Sequence, residues 1–194
     1  MSHQDEPDDS RAEIPILGDI TEHESDICDK LLAVPPGGEC ILYFNSPGGS
    51  AYSALSLMSL MVLRGLQAVG VVTGECSSAA LWPLAACQRR LVTAHSVLLF
   101  HPMKWESGEN VMIAEAHEWA RHFGHLEVEM DLALARLFGM EPQKMAAWMH
   151  PGRYVSGSEF AAAGLGEMLE LTQLAELTKN IGAKAAKKRP SRKN

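Results

Sequence analysis

Short apolar runs alternate with amphipathic segments as far as Phe100. The runs are compact and bounded by polar or turn residues, as buried strands are, and they lie at Ile14–Gly18, Cys40–Phe44, Ala68–Thr73, Leu91–Thr93 and Val97–Phe100. The segments between them carry apolar residues at helix-like intervals and cover residues 22–34, 51–64 and 79–87. Strands that alternate with crossover helices predict an α/β fold with a largely parallel sheet.

In the second half of the chain the pattern changes. Apolar residues recur at helical spacing among abundant charges, which predicts one long amphipathic helix over about 110–138. Two shorter helices follow, at 142–149 and 156–163. Ser156 and Glu159, three residues apart, form the capping-box pattern that starts the second of these.

The length of 194 residues is typical of one domain with a full core. We expect that domain to span 14–178, after a polar, acidic N-terminal segment over 1–13 and before a basic, disordered tail over 179–194. The formal net charge is −7, but the last thirteen residues hold six positive side chains and no acid, so about −13 remains on the rest. An acidic body argues against nucleic acid as the main partner.

Composition also bears on the compartment. The N-terminus has no apolar run behind a basic start, so no secretory signal is expected. No stretch approaches the ~18 uncharged apolar residues of a membrane span. The four cysteines show neither metal-type pairing nor dense disulfide spacing. These features predict a cytoplasmic protein without a membrane partner.

Three separated segments supply what acyl transfer needs. The turn at Gly48-Gly49 can expose backbone N–H groups, Ser78 follows an apolar strand, and His101 follows another. Each signal has a plainer interpretation when taken alone. Glycine turns are common, Ser77 or Ser78 could be a helix N-cap, and a lone histidine is more often structural.

A histidine pair on the predicted long helix invites a metal interpretation. His122 and His125 follow Glu118 at about one turn's spacing. Their setting among charged residues favours a solvated helix face instead. We therefore predict no metal site, and the acyl-transfer chemistry requires no cofactor.

The order of the motifs identifies a resemblance. From about Ile14 to about Leu171 the chain resembles the proteolytic subunit of the ATP-dependent Clp protease, the ClpP family. The matching segments are ILYFNSPGG (41–49), TGECSSAA (73–80), LAA (84–86), VLLFHP (97–102), the long helix ending at Phe138-Gly139, and YVSGSEFAAAGL (154–165). The resemblance implies a ClpP/crotonase-like spiral of ββα units with the long helix protruding as a "handle".

The resemblance also implies chemistry. It makes the chain a serine endopeptidase that cleaves peptide bonds through an acyl-enzyme. Ser78 matches the nucleophile, His101 the general base, and Gly49 and Ala79 the two residues whose N–H groups form the oxyanion hole. The family implies peptide or protein substrates and a ring, which here would be a homo-oligomer or a hetero-ring with another ClpP.

The acid position departs from the family pattern. The acid that orients the histidine lies four residues before the serine matched by Ser156, and here that residue is Gly152. Glycine cannot hold an imidazole. Asp131, Glu106 and Glu109 are candidate substitutes, although the sequence places none of them near His101.

Two further departures concern the helix after the nucleophile and the N-terminus. Pro83 falls where that helix should be continuous, and we expect a kink that shifts Ser78 slightly. The short polar segment before the first strand places docking to a Clp ATPase in doubt. Two alternatives to an active peptidase remain: a catalytically impaired ClpP paralogue that serves as a structural subunit of a mixed ring, and a crotonase-type acyl-CoA enzyme.

Overall fold

The computed structural model describes residues 11–106 and 110–171. Its seven strands are β1 (Ala12–Asp19), β2 (Glu39–Gly48), β3 (Gln67–Ser77), β4 (Arg89–Val92), β5 (Val97–Phe100), β6 (Arg153–Ser156) and β7 (Glu167–Met168). Its six α-helices are α1 (Ile20–Ala33), α2 (Ala51–Leu63), α3 (Leu81–Ala86), α4 (Ile113–Phe138), α5 (Pro142–Met149) and α6 (Gly157–Ala162). A 3₁₀ turn, Ser78–Ala80, lies between β3 and α3.

The strands form one sheet that is mainly parallel. Its main path runs β1-β2-β3-β4-β7, with every neighbouring pair parallel. β3 changes partners along its length: residues 69–72 pair with β4, and residues 75–77 pair with β5. β6 is antiparallel to β5. The α/β class and the largely parallel sheet are therefore confirmed.

The core lies between this sheet and the helices. Among its largest fully buried side chains are Phe44 on β2, Phe100 on β5 and Phe160 on α6. The first helices begin at side-chain caps, since Asp19 accepts the N–H of Thr21 and Ser50 accepts that of Tyr52. The capping box of Ser156 and Glu159 is present, as the sequence predicts.

The region after β3 differs from the sequence expectation. The predicted single helix over 79–87 is divided into the 3₁₀ turn and α3. Pro83 is the third residue of α3, where a backbone N–H has no partner within the helix. The proline therefore removes no hydrogen bond from α3, and the expected kink has no preceding α-helix in which to form.

The long helix begins later than predicted. α4 starts at Ile113, because Asn110 has a φ of 64°, which a right-handed helix does not allow. Its buried residues, Met130, Leu134, Ala135 and Phe138, all lie in its C-terminal half. Among the described residues no helix is long and apolar enough to cross a lipid bilayer. Residues 1–10 and the basic tail over 179–194 lie outside the described residues.

Candidate active site

The glycine turn at the end of β2 packs directly on the turn that carries Ser78. Gly48 has a φ of 105°, and a Cβ placed there would lie 2.7 Å from the Ser77 carbonyl oxygen and 2.8 Å from the Ala79 nitrogen. Such distances leave no room for a side chain. Gly48 is therefore required both for its backbone conformation and for the close approach of the two turns.

Hydrogen bonds from the residues on either side hold Gly49 in this turn. The Gly48 N–H donates to Ser46 Oγ at 3.1 Å, and the Ser50 N–H donates to Thr21 Oγ1 at 2.7 Å. Gly49 lies one residue beyond the pairing of Gly48 with Asp19 of β1. Ala79 is the second residue of the 3₁₀ turn, where an N–H has no intrahelical partner. The Ala79 N–H is thus not used by its own turn.

Ser78 is held in a strained conformation. It follows the last residue of β3 with a φ of 54°, in the left-handed region that costs a non-glycine residue about 1–3 kcal/mol. The N-cap interpretation does not describe this site, because Ser77 caps the turn without a side-chain hydrogen bond. The Ser77 hydroxyl is buried and unpartnered. The half-buried Ser78 begins the turn beside it.

His101 is brought to Ser78 by strand pairing. Ser77 of β3 is in register with Leu99 of β5, so Ser78 lies one residue beyond that pair and His101 lies two residues beyond it. Ser78, Ala79, His101 and Gly49 all line one cavity of about 450 Å³. Among the described residues, no hydrogen bond joins Ser78 to His101.

The orientation of His101 is set by a backbone carbonyl. Its Nδ1 lies 2.6 Å from the Pro102 carbonyl oxygen. Since a carbonyl can only accept, Nδ1 carries the proton and donates it. In a neutral ring the other nitrogen, Nε2, then has a free lone pair and can accept a proton.

Three described carboxylates line the same cavity, but none of them makes a hydrogen bond with His101. Asp131 lies 3.2 Å from His150 Nε2, and Glu127 accepts the Met103 N–H at 2.7 Å. Glu106 lies in the exposed segment after β5. Glu109, the other candidate substitute, lies outside the described residues.

The neighbouring thiol is not a competing nucleophile. Cys76 lies two residues before Ser78 and is fully buried. Burial raises the pKa of this thiol well above its usual value, with smaller contributions from Cys87 and Glu75. At neutral pH the group is therefore a protonated thiol inside the core.

Two of the three residues of the metal interpretation, Glu118 and His122, have other partners. Glu118 forms an ion pair with Arg121 on the same helix. His122 Nε2 lies 2.9 Å from the hydroxyl of Tyr52. Within residues 11–106 and 110–171, no group of three or more metal-ligating side chains could hold an ion.

A family model for Clp protease matches residues 10–169 of the chain, which include every strand and helix of the fold. The chain belongs to the Clp protease family. No curated protein matches it significantly. Membership supports a ClpP-like protease, a hydrolase of a family that typically forms oligomeric rings and acts on peptides or proteins.

The residue that the resemblance matches to the family's acid lies close to the histidine. A Cβ on Gly152 would be 3.2 Å from His101 Cβ, and the residue has a φ of 123°. A side chain at this position would therefore begin beside His101.

Sequence reasoning missed the wall that α4 contributes to the cavity. Phe123, Glu127, Met130 and Asp131 all line it. Their spacing, i, i+4, i+7 and i+8, places them on one helix face. The spacing could have revealed this helix face from the sequence. It could not have shown that the face lies against the cavity beside Ser78.

Proposed function

We propose that this member of the Clp protease family is a serine endopeptidase that works with a Ser78–His101 dyad. The observation that carries the proposal is the strained Ser78, which shares one cavity with His101, Gly49 and Ala79. The Pro102 carbonyl fixes the histidine tautomer in place of a carboxylate. Peptides or proteins are the substrates.

In the first half of the reaction, Ser78 Oγ attacks the peptide carbonyl carbon while its proton moves to His101 Nε2. The N–H groups of Gly49 and Ala79 stabilise the oxyanion that forms. The protonated His101 then gives its proton to the leaving amine, and the C–N bond breaks. The acyl group remains on Ser78 as an ester.

In the second half, water replaces the amine. His101 Nε2 takes a proton from water, and the oxygen attacks the ester carbonyl. Collapse of this second oxyanion returns the proton to Ser78 Oγ and releases the acid product. No cofactor enters either half.

The dyad is expected to be slow. A backbone carbonyl orients the imidazole but carries no full negative charge to stabilise the imidazolium. In serine proteases, neutralising the triad acid lowers kcat by about 10⁴. The missing Ser78–His101 hydrogen bond has to form when substrate binds, as such bonds often tighten only in the complex.

A second candidate function is a non-catalytic ring subunit. The observation that favours it is Gly152, which lies at His101 without a carboxylate. The N-terminal half of α4 would be an assembly surface, because it leaves Ile113 80% exposed. The ring would then be mixed with an active ClpP, whereas the dyad peptidase forms a homo-oligomer or a mixed ring.

The crotonase-type alternative predicts basic residues that bind CoA near the oxyanion hole. Among the described residues that line the cavity, only Lys104 carries a permanent positive charge. No observation therefore favours this function. The cytoplasmic location stays a prediction, and docking of the peptidase to a Clp-type ATPase stays in doubt.

The deciding experiment is labelling with a fluorophosphonate probe at neutral pH. We expect one adduct on Ser78, located by mass spectrometry, and no adduct on the Ser78→Ala variant. Ser77→Ala is the matched control and should still react, since the Ser77 hydroxyl is buried. An unlabelled wild-type chain that co-purifies with a full-triad ClpP would establish the second function instead.

A further inference from the structure

We propose that the cavity beside Ser78 binds a cationic side chain, lysine or arginine, of the substrate residue whose carbonyl is attacked. Asp131 is the specificity-determining carboxylate. This inference rests on the proposed function, which places the scissile bond at Ser78. The choice of a cationic side chain follows from the shape and charge of the cavity.

The cavity has an apolar base suited to a long aliphatic stem. Trp82, Met130 and Met149 line it and are 7%, 2% and 2% exposed. Lysine and arginine place their methylene groups on such surfaces while the charged end reaches a polar partner. The volume of about 450 Å³ accommodates either side chain.

Asp131 supplies that polar partner. It follows Met130 on α4, lines the cavity, and leaves only 16% of its side chain exposed. Among the residues that the structure describes, it pairs with His150 alone, whose side chain is 48% exposed and can turn outward into water. A substrate ammonium or guanidinium would replace that histidine with a permanent charge.

The other charged groups of the cavity do not take this role. Glu127 is already bound to the Met103 N–H. Glu106 and Lys104 are exposed, so solvent screens their opposite charges. Asp131 is therefore the carboxylate with both the burial and the freedom to bind an incoming cation.

An apolar substrate side chain fits this cavity less well. It would cover the Asp131 carboxylate without pairing with it and leave it with His150 as its partner, and burying a carboxylate with incomplete compensation is unfavourable. Discrimination by a charged partner in a partly buried site makes about a 10- to 100-fold difference in kcat/KM.

The test compares peptides that differ at one side chain. Three fluorogenic peptides carry arginine, citrulline or norleucine before the scissile bond. Citrulline has nearly the shape of arginine but no charge, so the pair isolates the electrostatic contribution. We expect the arginine peptide to be cleaved at least about 10-fold faster in kcat/KM. Equal rates for arginine and citrulline would overturn the proposal, whatever the variants below show.

Two variants locate the effect. Asp131→Asn should abolish the difference between arginine and citrulline. It should also raise the rate for the norleucine peptide, because covering an uncharged amide is less unfavourable than covering a carboxylate. Glu129→Gln removes an exposed carboxylate from the same helix, one that does not line the cavity, and should keep the preference. Thermal melting of both variants shows whether they are folded.

Binding to the Ser78→Ala variant separates this inference from the proposed function. The same three peptides, extended and fluorescently labelled, are titrated with that variant in a polarisation assay. If the wild type cleaves none of them, the proposed function fails. Tighter binding of the arginine peptide than of the citrulline peptide would still support the cation site. Equal binding would refute it.

Discussion

The nucleophile side and the base side of the cavity differ in how completely they are built. On the nucleophile side, Gly48 packs against Ser77 and Ala79, and Ser78 is held at a φ of 54°. On the base side, His101 Nδ1 bonds to the carbonyl of Pro102, and Gly152, the residue matched to the family's acid by resemblance, lies beside it. On the nucleophile side, close packing fixes the position of Ser78. On the base side, a backbone carbonyl orients His101.

The difference teaches that orienting a histidine and stabilising its charge are separable tasks. The Pro102 carbonyl accomplishes the first, because it fixes the proton on Nδ1. Only an acid close to the ring accomplishes the second. Gly152 belongs to the segment between α5 and β6, outside both turns of the nucleophile side.

The largest expected effect comes from breaking the nucleophile side with Gly48→Ala. The new Cβ would lie 2.8 Å from Ser78 Cβ, and the alanine would have to adopt a φ of 105°. We expect destabilisation of about 2–4 kcal/mol and at least a ~10³-fold loss of fluorophosphonate labelling. Chemical denaturation and labelling rates measure the two effects.

Gly65→Ala is the control for that variant. Gly65 also has a positive φ, 61°, but a Cβ there meets nothing within 4 Å. The Gly65→Ala variant should lose only about 1–2 kcal/mol of folding stability and should keep the wild-type labelling rate. If both variants label like the wild type, the packing of the glycine turn on Ser78 does not matter for reactivity.

A smaller effect, of opposite sign, is expected from restoring the acid with Gly152→Asp. A carboxylate beside His101 would stabilise the imidazolium, so we expect labelling and peptide hydrolysis to rise about 10- to 100-fold. The variant should lose about 1–2 kcal/mol of stability, because φ is 123° and the Cβ lies 3.2 Å from His101 Cβ. The time course of fluorophosphonate labelling measures the change in reactivity, and chemical denaturation measures the change in stability.

Gly164→Asp is the matched control for acid restoration. It introduces the same side chain at another positive φ, 78°, with nothing within 4 Å of the Cβ. Reactivity should stay at the wild-type value. If the folded Gly152→Asp variant is labelled and hydrolyses peptides at the wild-type rate, an acid beside His101 adds nothing to what the Pro102 carbonyl already provides.

The smallest expected effect is a pH dependence of stability at the cavity wall. Burial raises the pKa of Asp131 from 3.8, and Glu127 raises it further, whereas His150 opposes the shift. The folded protein then holds this proton to a higher pH than the unfolded chain does. Stability therefore falls as pH rises from 3.8 through the raised pKa.

Denaturation midpoints measured from pH 3.5 upward, in wild type and Asp131→Asn, isolate this contribution. The variant lacks the titrating group and should show a shallower decline over the window. Glu129→Gln, at an exposed position on the same helix, should follow the wild type. A variant curve parallel to the wild-type curve would contradict the assignment to Asp131.

Local sequence patterns predicted the sheet, the main helices and the capping box, because each depends on residues close in the chain. The residue that motif order matched to the family's acid, Gly152, does lie beside His101; its match to the acid stays a prediction. The Pro102 carbonyl could not be anticipated, since any residue has one and only the local conformation aims it. Asp131 was a candidate for the missing acid, but its bond to His150 depends on how α4 packs on α5.

The conformation of Ser78 also relates reactivity to stability. A glycine at this position would adopt a φ of 54° without strain, and folding would gain about 1 kcal/mol. The proposed peptidase needs the serine hydroxyl, whereas a subunit that only fills a place in an assembly does not. Under the proposed function, the fold therefore gives up some stability to hold its nucleophile.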